Sequence, residues 1–293
     1  MSTTVEQIRG ISNSTRTEGP IFIAGGTGKT GRRVVQHLQA LGVPVRIGSR
    51  STETPFDWER PEGWATAVQG SRAIYAAYSP DLAVPGAVAA LEQLTAVARD
   101  AGVEQIVLLS GRGEPEAQEA EAVVQSAGMD WTVVRCAWFM QNFSENYFVD
   151  GIRAGELALP VGPVGEPFVD ADDIAEVVAT ALTQPGHTGQ LYELTGPRTL
   201  TFAEAVQEIS EATGREIRYT QLDQAVFDDG LRQLGLPEDV IWLLDYLFTT
   251  VLDGRNAWLA DGVQRALGRQ PRDFRDYARA AAATGAWNLP VGG

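Results

Sequence analysis

The chain has 293 residues, and 23 Lys and Arg against 38 Asp and Glu give it a formal charge of −15. That length suits one large domain, or a main domain with a smaller partner, and a hydrophobic content of 44% excludes wholesale disorder. An acidic surface repels phosphate backbones, and the sequence offers no local basic face. Direct nucleic-acid binding is therefore disfavoured.

Scarce residue types exclude several kinds of catalytic site. Cys136 is the only cysteine, His37 and His187 are the only histidines, and Lys29 is the only lysine. A thiolate cluster, a His-rich metal site and a His-based triad therefore lack their residues, and we expect no bound metal. A single cysteine also fits a reducing, cytoplasmic location.

We expect neither an N-terminal targeting signal nor a membrane-spanning segment. Residues 1–19 are polar and predict a flexible tail. The apolar segment 240–252 contains Asp245 and is shorter than the span of about 20 residues that a bilayer requires. It predicts a buried helix without membrane association, which either packs between subunits or closes over a cleft. We expect a monomer or a homodimer.

Strand and helix patterns alternate from residue 20 to residue 134, which predicts an α/β fold with a Rossmann-type, doubly wound parallel sheet in a domain of residues 20–157. Glycine and proline crowd residues 151–167, which is typical of an irregular loop. Residues 158–293 are expected to form mainly a smaller, mostly helical substrate domain, with 168–195 returning to the sheet. The predicted strands cover 21–24, 43–47, 73–78, 106–109, 131–134 and 190–194, with another near 217–219.

Three glycines spaced Gly25-x-x-Gly28-x-x-Gly31 follow the first strand and precede an amphipathic helix. Such glycines permit a tight turn and let the backbone approach a pyrophosphate at the positive end of the helix, whereas the alternative is an ordinary turn. The residues expected to bind a dinucleotide here are Gly25, Thr27, Gly28, Lys29 and Thr30.

The end of the second strand indicates which dinucleotide is preferred. NAD sites usually carry an acidic residue at this place, but this chain has Ser49 and Arg50. Arg50 can hold a 2′-phosphate with Ser49 and Arg32 nearby, so we expect NADPH to be preferred to NADH. The alternative is a solvated surface arginine.

Several separated segments carry a family resemblance. The string Ala24 to Gly31, the run Trp131 to Phe143, and the segments 168–175 and 192–197 resemble the NmrA-like proteins, atypical short-chain dehydrogenase relatives, over about residues 20–287. The runs Gly28-Lys29-Thr30, Phe56-Asp57-Trp58 and Phe274 to Ala278 are most similar to the branch of the ergot-alkaloid iminium reductases, of the agroclavine-dehydrogenase and festuclavine-synthase kind. One departure is Arg135-Cys136, where the family usually has Arg-Pro.

The resemblance implies further site residues, which also agree with ligand binding at the carboxyl ends of parallel strands. Asp57 and Trp58 would contact the adenine. Cys136 is either an apolar thiol or a redox-sensing group. The residues that would border the nicotinamide are Ala76, Ala77, Tyr78, Ser110, Cys136 and Trp138.

The usual proton donor of short-chain reductases is absent from the sequence. The helix that begins near Glu114 has neither the tyrosine nor the lysine of a Tyr-x-x-x-Lys pair, so proton-coupled ketone reduction is disfavoured. The catalytic residues stay unknown, with Tyr78 and Ser110 as candidates. The acidic cluster Glu114 to Glu121 is expected to face solvent. Acidic residues Asp170, Asp172 and Asp173 are expected to begin a helix rather than to bind a metal.

Hydride transfer does not require that pair, because the cofactor carries the difficult chemistry. We therefore expect an NADPH-dependent reductase that acts on a small imine, iminium or conjugated acceptor. The alternatives are an NADP(H)-binding redox-sensing regulator and a quinone reductase. An aromatic wall for a flat acceptor, or otherwise plain core packing, is expected from Tyr78, Trp138, Phe139, Phe143 and Tyr147.

Overall fold

A computed structural model of the chain describes residues 18–145 and 148–289. Most of the predicted tail and the predicted pocket residue Tyr147 lie outside the described residues. Within them, no helix combines the length and the apolar character needed to cross a membrane.

Nine strands occur in the described residues. In chain order they are β1 (Ile21–Ala24), β2 (Val45–Ser49), β3 (Thr54–Pro55), β4 (Ala73–Ala76), β5 (Gln105–Gly111), β6 (Asp130–Cys136), β7 (Glu156–Leu159), β8 (Gln190–Leu194) and β9 (Arg218–Gln221). Seven of them form one parallel sheet in the order β3-β2-β1-β4-β5-β6-β8, and β7 pairs with β9 in a second, two-stranded sheet.

The α-helices of the described residues alternate with these strands. They are α1 (Gly31–Ala40), α2 (Trp64–Val68), α3 (Ala87–Asp100), α4 (Pro115–Gln125), α5 (Asn142–Glu145), α6 (Phe148–Ala154), α7 (Ala171–Thr183), α8 (Phe202–Thr213), α9 (Gln224–Gln233), α10 (Glu238–Tyr246), α11 (Gly262–Leu267) and α12 (Phe274–Ala283). A 3-10 turn, Pro61–Gly63, precedes α2, and a π-helical turn, Leu247–Val251, continues α10.

The main sheet is covered on both faces, as an apolar parallel strand requires. Ile21 and Ile23 of β1 pack into a core shared with α1, α7 and α11, whereas Phe22 and Ala24 pack into a core shared with α2, α3 and α4. The predicted doubly wound α/β fold is confirmed. The strand order changes direction between β1 and β4, and ligands bind at such a switch point, beyond the carboxyl ends of the strands.

Apart from the packing on the two faces of the main sheet, a separate core, here called the second core, lies among α5, α6, α8, α12 and the β7–β9 pair. Many aromatic rings meet there. Phe143 is at its centre, with ring centroids 5.3 Å from those of Phe168 and Phe274. Two short strands were not predicted from the sequence. β7 lies inside the segment predicted to be an irregular loop, and β3 follows β2 after a four-residue turn.

The acidic run before α7 has a structural role. The Asp170 carboxylate accepts the backbone N–H of Asp172 at 2.8 Å, which caps the helix. Asp173 is fully buried and pairs with Arg269 at 2.7 Å and with Arg272. The expectation that these residues begin a helix is confirmed.

Candidate active site

A cleft of about 760 Å³ opens beyond the carboxyl ends of β1, β2, β4, β5 and β6. The structure brings most of the predicted site residues together in its wall. These are Gly25, Thr27, Gly28, Lys29, Thr30, Ser49, Arg50, Asp57, Trp58, Ala77, Tyr78, Ser110, Cys136, Trp138 and Phe139. Two predicted residues lie elsewhere. Ala76 is fully buried within β4, and Phe143 is fully buried in the second core, so the prediction that Phe143 lines the pocket is wrong.

The glycine turn joins β1 to α1 with almost no room for side chains. Gly25 adopts a φ of 78°, which favours glycine. A Cβ atom on Gly31 would lie 2.2 Å from the Gly25 carbonyl oxygen, so the helix begins directly against the turn. Within the described residues, the backbone amides of Thr27, Lys29 and Thr30 donate no hydrogen bond. Free amides at a helix start fit a phosphate group.

Lys29 points from this turn towards the neighbouring α5. Its ammonium group donates a hydrogen bond to Asn142 Oδ1 and lies 5.9 Å from the centroid of the Phe139 ring. Burial lowers the pKa of Lys29 to about 8, although the nearby carboxylate of Glu145 raises it. At neutral pH the side chain is therefore mostly charged, and it places a partly desolvated cation beside the free amides.

The end of β2 presents an arginine to the cleft. Arg50 is exposed and, among the described residues, has no hydrogen bond or ion pair. The loop beneath it is ordered by Thr52, whose hydroxyl accepts the Ser49 N–H at 3.0 Å. Arg32, which the sequence analysis placed nearby, is instead paired with Glu145 and does not line the cleft. Arg50 is thus the arginine available to a phosphate at this edge.

An aromatic cluster lies next to Arg50. Trp58 donates its indole N–H to the Ala77 carbonyl at 3.1 Å, which fixes the ring over the end of β4. The ring centroids of Phe56 and Tyr78 lie 5.0 Å and 4.9 Å from that of Trp58. The cluster gives this end of the cleft a flat, apolar wall suited to a ring system.

The candidate catalytic groups are poorly suited to donate a proton. Burial, followed by the charge of Glu59, raises the pKa of Tyr78, whereas a tyrosine acid needs a lowered one. The Ser110 hydroxyl donates to Glu121 Oε1 at 2.6 Å, and that carboxylate also binds Arg135. Burial raises the pKa of the Cys136 thiol well above its usual value, which favours the interpretation as an apolar thiol.

The acidic cluster at the start of α4 does not face solvent as a whole. Glu114 is 5% exposed and lines the cleft, and Glu121 is 2% exposed beneath Ser110. The expectation of a solvated cluster is therefore wrong for these two residues. Asp81, in the loop after β4, also lines the cleft and was not singled out from the sequence.

One face of α10 and the π-helical turn closes the far side of the cleft. The lining residues recur at helical spacing, a signal that the sequence already contained. They are Val240, Leu243, Leu244, Leu247 and Phe248. The outer face carries Trp242, which is 45% exposed and stacks on Tyr246. Of the two roles considered for this helix, the structure shows the closure over the cleft.

Glu166 holds the backbone of Trp138 in the cleft wall, because its Oε1 accepts the Trp138 N–H at 3.1 Å. Burial raises the pKa of this carboxyl from 4.5 to about 7, against the lowering effects of that N–H and of Arg112. The folded protein therefore retains a proton that the unfolded chain has lost. Since the folded state binds more protons between these two pKa values, stability falls as the pH rises through that range.

Replacing Glu166 with glutamine should remove this loss, because the amide oxygen can still accept the Trp138 N–H but does not ionise. Ionisation of Glu166 is expected to lower the free energy of unfolding of the wild type by roughly 3 kcal/mol between pH 4.5 and pH 7.5. Urea unfolding of both proteins across that range measures it. Glu204→Gln is the matched control, because the pKa of this exposed carboxyl is lowered by its hydrogen bonds to Thr201 and its replacement should not remove a fall in stability with rising pH. Parallel pH curves for wild type and Glu166→Gln would contradict the assignment.

Comparison with known proteins agrees with this geometry. The chain matches an NAD(P)H-binding family over residues 25–185 and the NmrA-like family over residues 115–277. It is 32% identical to an NAD(P)H azoreductase of Xenophilus azovorans, over 90% of this chain and 98% of that protein. It is 29% identical to a festuclavine dehydrogenase of Aspergillus fumigatus, over 88% and 96% of the two chains.

A solved structure with the same fold is that of an NADPH-dependent quinone oxidoreductase of Escherichia coli in complex with NADPH. Its TM-score is 0.74 at 20% identity, and the match covers 89% of this chain and 99% of the other. Each of the two family matches spans more than half of the present chain. The resemblance noted in the sequence is thereby confirmed, and the chain belongs to the NmrA-like family of NAD(P)H-binding oxidoreductases.

Proposed function

We propose that the protein is an NADPH-dependent reductase that transfers hydride to a small, flat electrophile such as an imine, an iminium ion, a quinone or an azo compound. The observation that carries the proposal is the composition of one continuous cleft. It joins a phosphate cradle and a free arginine to an apolar, aromatic end, and the helix α4 beside it has no Tyr-x-x-x-Lys pair.

The cofactor position in this proposal follows from the free groups of the cleft. The amides of Thr27, Lys29 and Thr30 would hold the diphosphate, and Arg50 the 2′-phosphate. Trp58 and Asp57 would flank the adenine, and Tyr78, Ser110 and Trp138 would border the nicotinamide. When bound there, the cofactor supplies a hydride, and the protein residues orient the two reactants.

The acceptor would lie between the nicotinamide and the inner face of α10. Trp138 and Phe248, whose ring centroids are 5.4 Å apart, and the leucines on the inner face of α10 line this part of the cleft. Such walls exclude water and bind flat conjugated molecules. Two of the four acceptor types appear in the names of a curated relative and a solved neighbour, an azoreductase and a quinone oxidoreductase, and a festuclavine dehydrogenase is a further relative.

The experiment is NADPH oxidation by the purified protein with a cyclic imine, an iminium salt, a quinone, an azo dye and an enone. We expect turnover of at least one flat acceptor. Trp138→Leu should raise the acceptor KM about fivefold, since an aromatic contact is worth about 1 kcal/mol. Trp242→Leu, on the outer face of α10, is the matched control and should behave as wild type.

Two results would contradict the proposal. Equal effects of Trp138→Leu and Trp242→Leu on the acceptor KM would show that the acceptor does not contact Trp138. Absence of turnover with every acceptor, together with unequal affinity for NADP⁺ and NADPH, would instead favour a redox-sensing regulator.

A further inference from the structure

Two carboxyl groups meet in the wall of the cleft, and the proposed function assigns neither of them a role. Asp81 lies in the loop after β4, and Glu114 lies between β5 and α4. Because these strands are neighbours in the parallel sheet, both loops leave the same edge. The two carboxyl groups lie within hydrogen-bonding range of each other, and we term them the Asp81–Glu114 pair.

The Asp81–Glu114 pair requires a proton for its own hydrogen bond. Two ionised carboxylates are both acceptors, so one of them must carry the proton that the bond contains. Glu114 Oε2 is buried and meets no hydrogen-bond donor among the described residues. Asp81 Oδ1 accepts the Ala83 N–H at 2.9 Å, which makes Asp81 the better-solvated anion of the two.

The surroundings of Glu114 also favour the shared proton. Its carboxyl oxygens lie 2.2 and 2.4 Å from where a Cβ atom of Gly111 would be, so the group packs against bare backbone. Burial, then the charge of Asp81, raises the pKa of Glu114 well above its usual value, and burial likewise raises the pKa of Asp81. Both shifts favour the protonated form of the pair over two carboxylates.

The charged and titratable groups around the pair do not supply a counter-ion. Glu116 and Glu121 of α4 add negative charge, and Tyr246 of α10 donates its hydroxyl to Glu116 Oε2 at 2.7 Å. The nearby Arg112 is held by Glu193 at 2.9 Å and by the Asn256 carbonyl at 2.7 Å. A proton is thus what offsets the charge of Asp81 and Glu114.

We propose that the Asp81–Glu114 pair is the proton donor of this reductase and passes its single proton to a neutral acceptor together with hydride transfer. This inference rests on the proposed function. For an imine, a C–H bond forms with the hydride and the carbon–nitrogen double bond becomes single. The nitrogen takes the proton as a carboxyl O–H bond breaks. NADPH becomes NADP⁺, and the pair, now two carboxylates, regains a proton from water.

The test separates acceptors that need a proton from one that does not. A neutral azo dye, quinone or imine gains a hydride and a proton, whereas a cationic triarylmethane dye gains a hydride alone. The variant is Glu114→Gln. It keeps the net charge of the pair at −1, because the glutamine is neutral and Asp81 ionises, but it removes the mobile proton.

We expect Glu114→Gln to lower kcat for the neutral acceptors roughly a hundredfold, as the loss of a general acid does, and to leave kcat for the cationic dye within about twofold. The wild-type rate with neutral acceptors should fall as the pH rises through the pKa of the pair, and the variant should lack that fall.

Infrared spectra of the free protein give a readout without turnover. Both proteins carry Glu166→Gln in this measurement, because Glu166 would itself hold a proton near pH 7. The carbonyl band of a protonated carboxyl should then be present at pH 7 in the protein with Glu114 and absent in the one with Glu114→Gln. If the wild type reduces no acceptor, the proposed function fails. The infrared band that depends on Glu114 still shows whether the pair holds a proton. Equal slowing of both acceptor classes, no slowing of either, or no protonated carboxyl at pH 7 would overturn the inference.

Discussion

Replacing Gly31 with alanine should weaken NADPH binding by roughly a hundredfold, because the new methyl group must displace the turn that holds the diphosphate. It would lie 2.2 Å from the Gly25 carbonyl oxygen and 2.8 Å from the Gly26 Cα atom, both of which are backbone atoms that cannot rotate away. Moving the turn misaligns the free amides of Thr27, Lys29 and Thr30. Loss of two charge-assisted hydrogen bonds of about 1.5 kcal/mol each corresponds to that factor.

The measurement is NADPH titration of the variant by calorimetry, with circular dichroism to verify the fold. Gly230→Ala is the matched control, since a Cβ atom there meets nothing within 4 Å and the residue lies inside helix α9. That variant should bind NADPH as wild type does and should be slightly more stable. A folded Gly31→Ala protein with wild-type affinity would show that the cofactor diphosphate does not bind at this turn.

The sheet and the glycine turn could be predicted because local sequence patterns specify them. Four consecutive apolar residues in β1 are buried on both faces, and a glycine triplet follows at once. Strand β7 was missed because glycine and proline crowd its surroundings, and β3 because two residues carry no periodic pattern. Phe143 was misplaced for a related reason: an aromatic residue packs equally well in a core or beside a ligand, and sequence alone does not distinguish the two.

The Asp81–Glu114 pair could not be predicted from the sequence, because the contact joins two distant segments. Its two members are separated by β5 and α3, and only the pairing of β4 with β5 brings their loops together. Glu114 also resembles an ordinary solvated residue before a helix that begins with Pro115. Its burial results from packing against Gly111, a contact made in the folded chain. The lining of the cleft by α10, in contrast, follows a spacing that the sequence displays.

Replacing Arg50 with alanine should reduce NADPH affinity about 10- to 100-fold and leave NADH affinity within about twofold. The two cofactors differ only in the 2′-phosphate, and Arg50 is exposed in the cleft wall without a hydrogen bond or ion pair among the described residues. A guanidinium with free donors binds a phosphate through charge-assisted hydrogen bonds. The loss should therefore fall on NADPH alone, and rising salt should narrow the difference between the two proteins.

Arg60→Ala is the matched control for this substitution, because Arg60 is also exposed but does not line the cleft. If long-range charge rather than a direct contact determined the preference, both variants would weaken NADPH binding similarly. If Arg50 binds the 2′-phosphate, only Arg50→Ala changes the NADPH to NADH ratio. An unchanged ratio in Arg50→Ala would show that Arg50 is a solvated surface residue, and the preference would then have to come from Ser49 and Ser51, the neighbouring hydroxyl groups in the cleft wall.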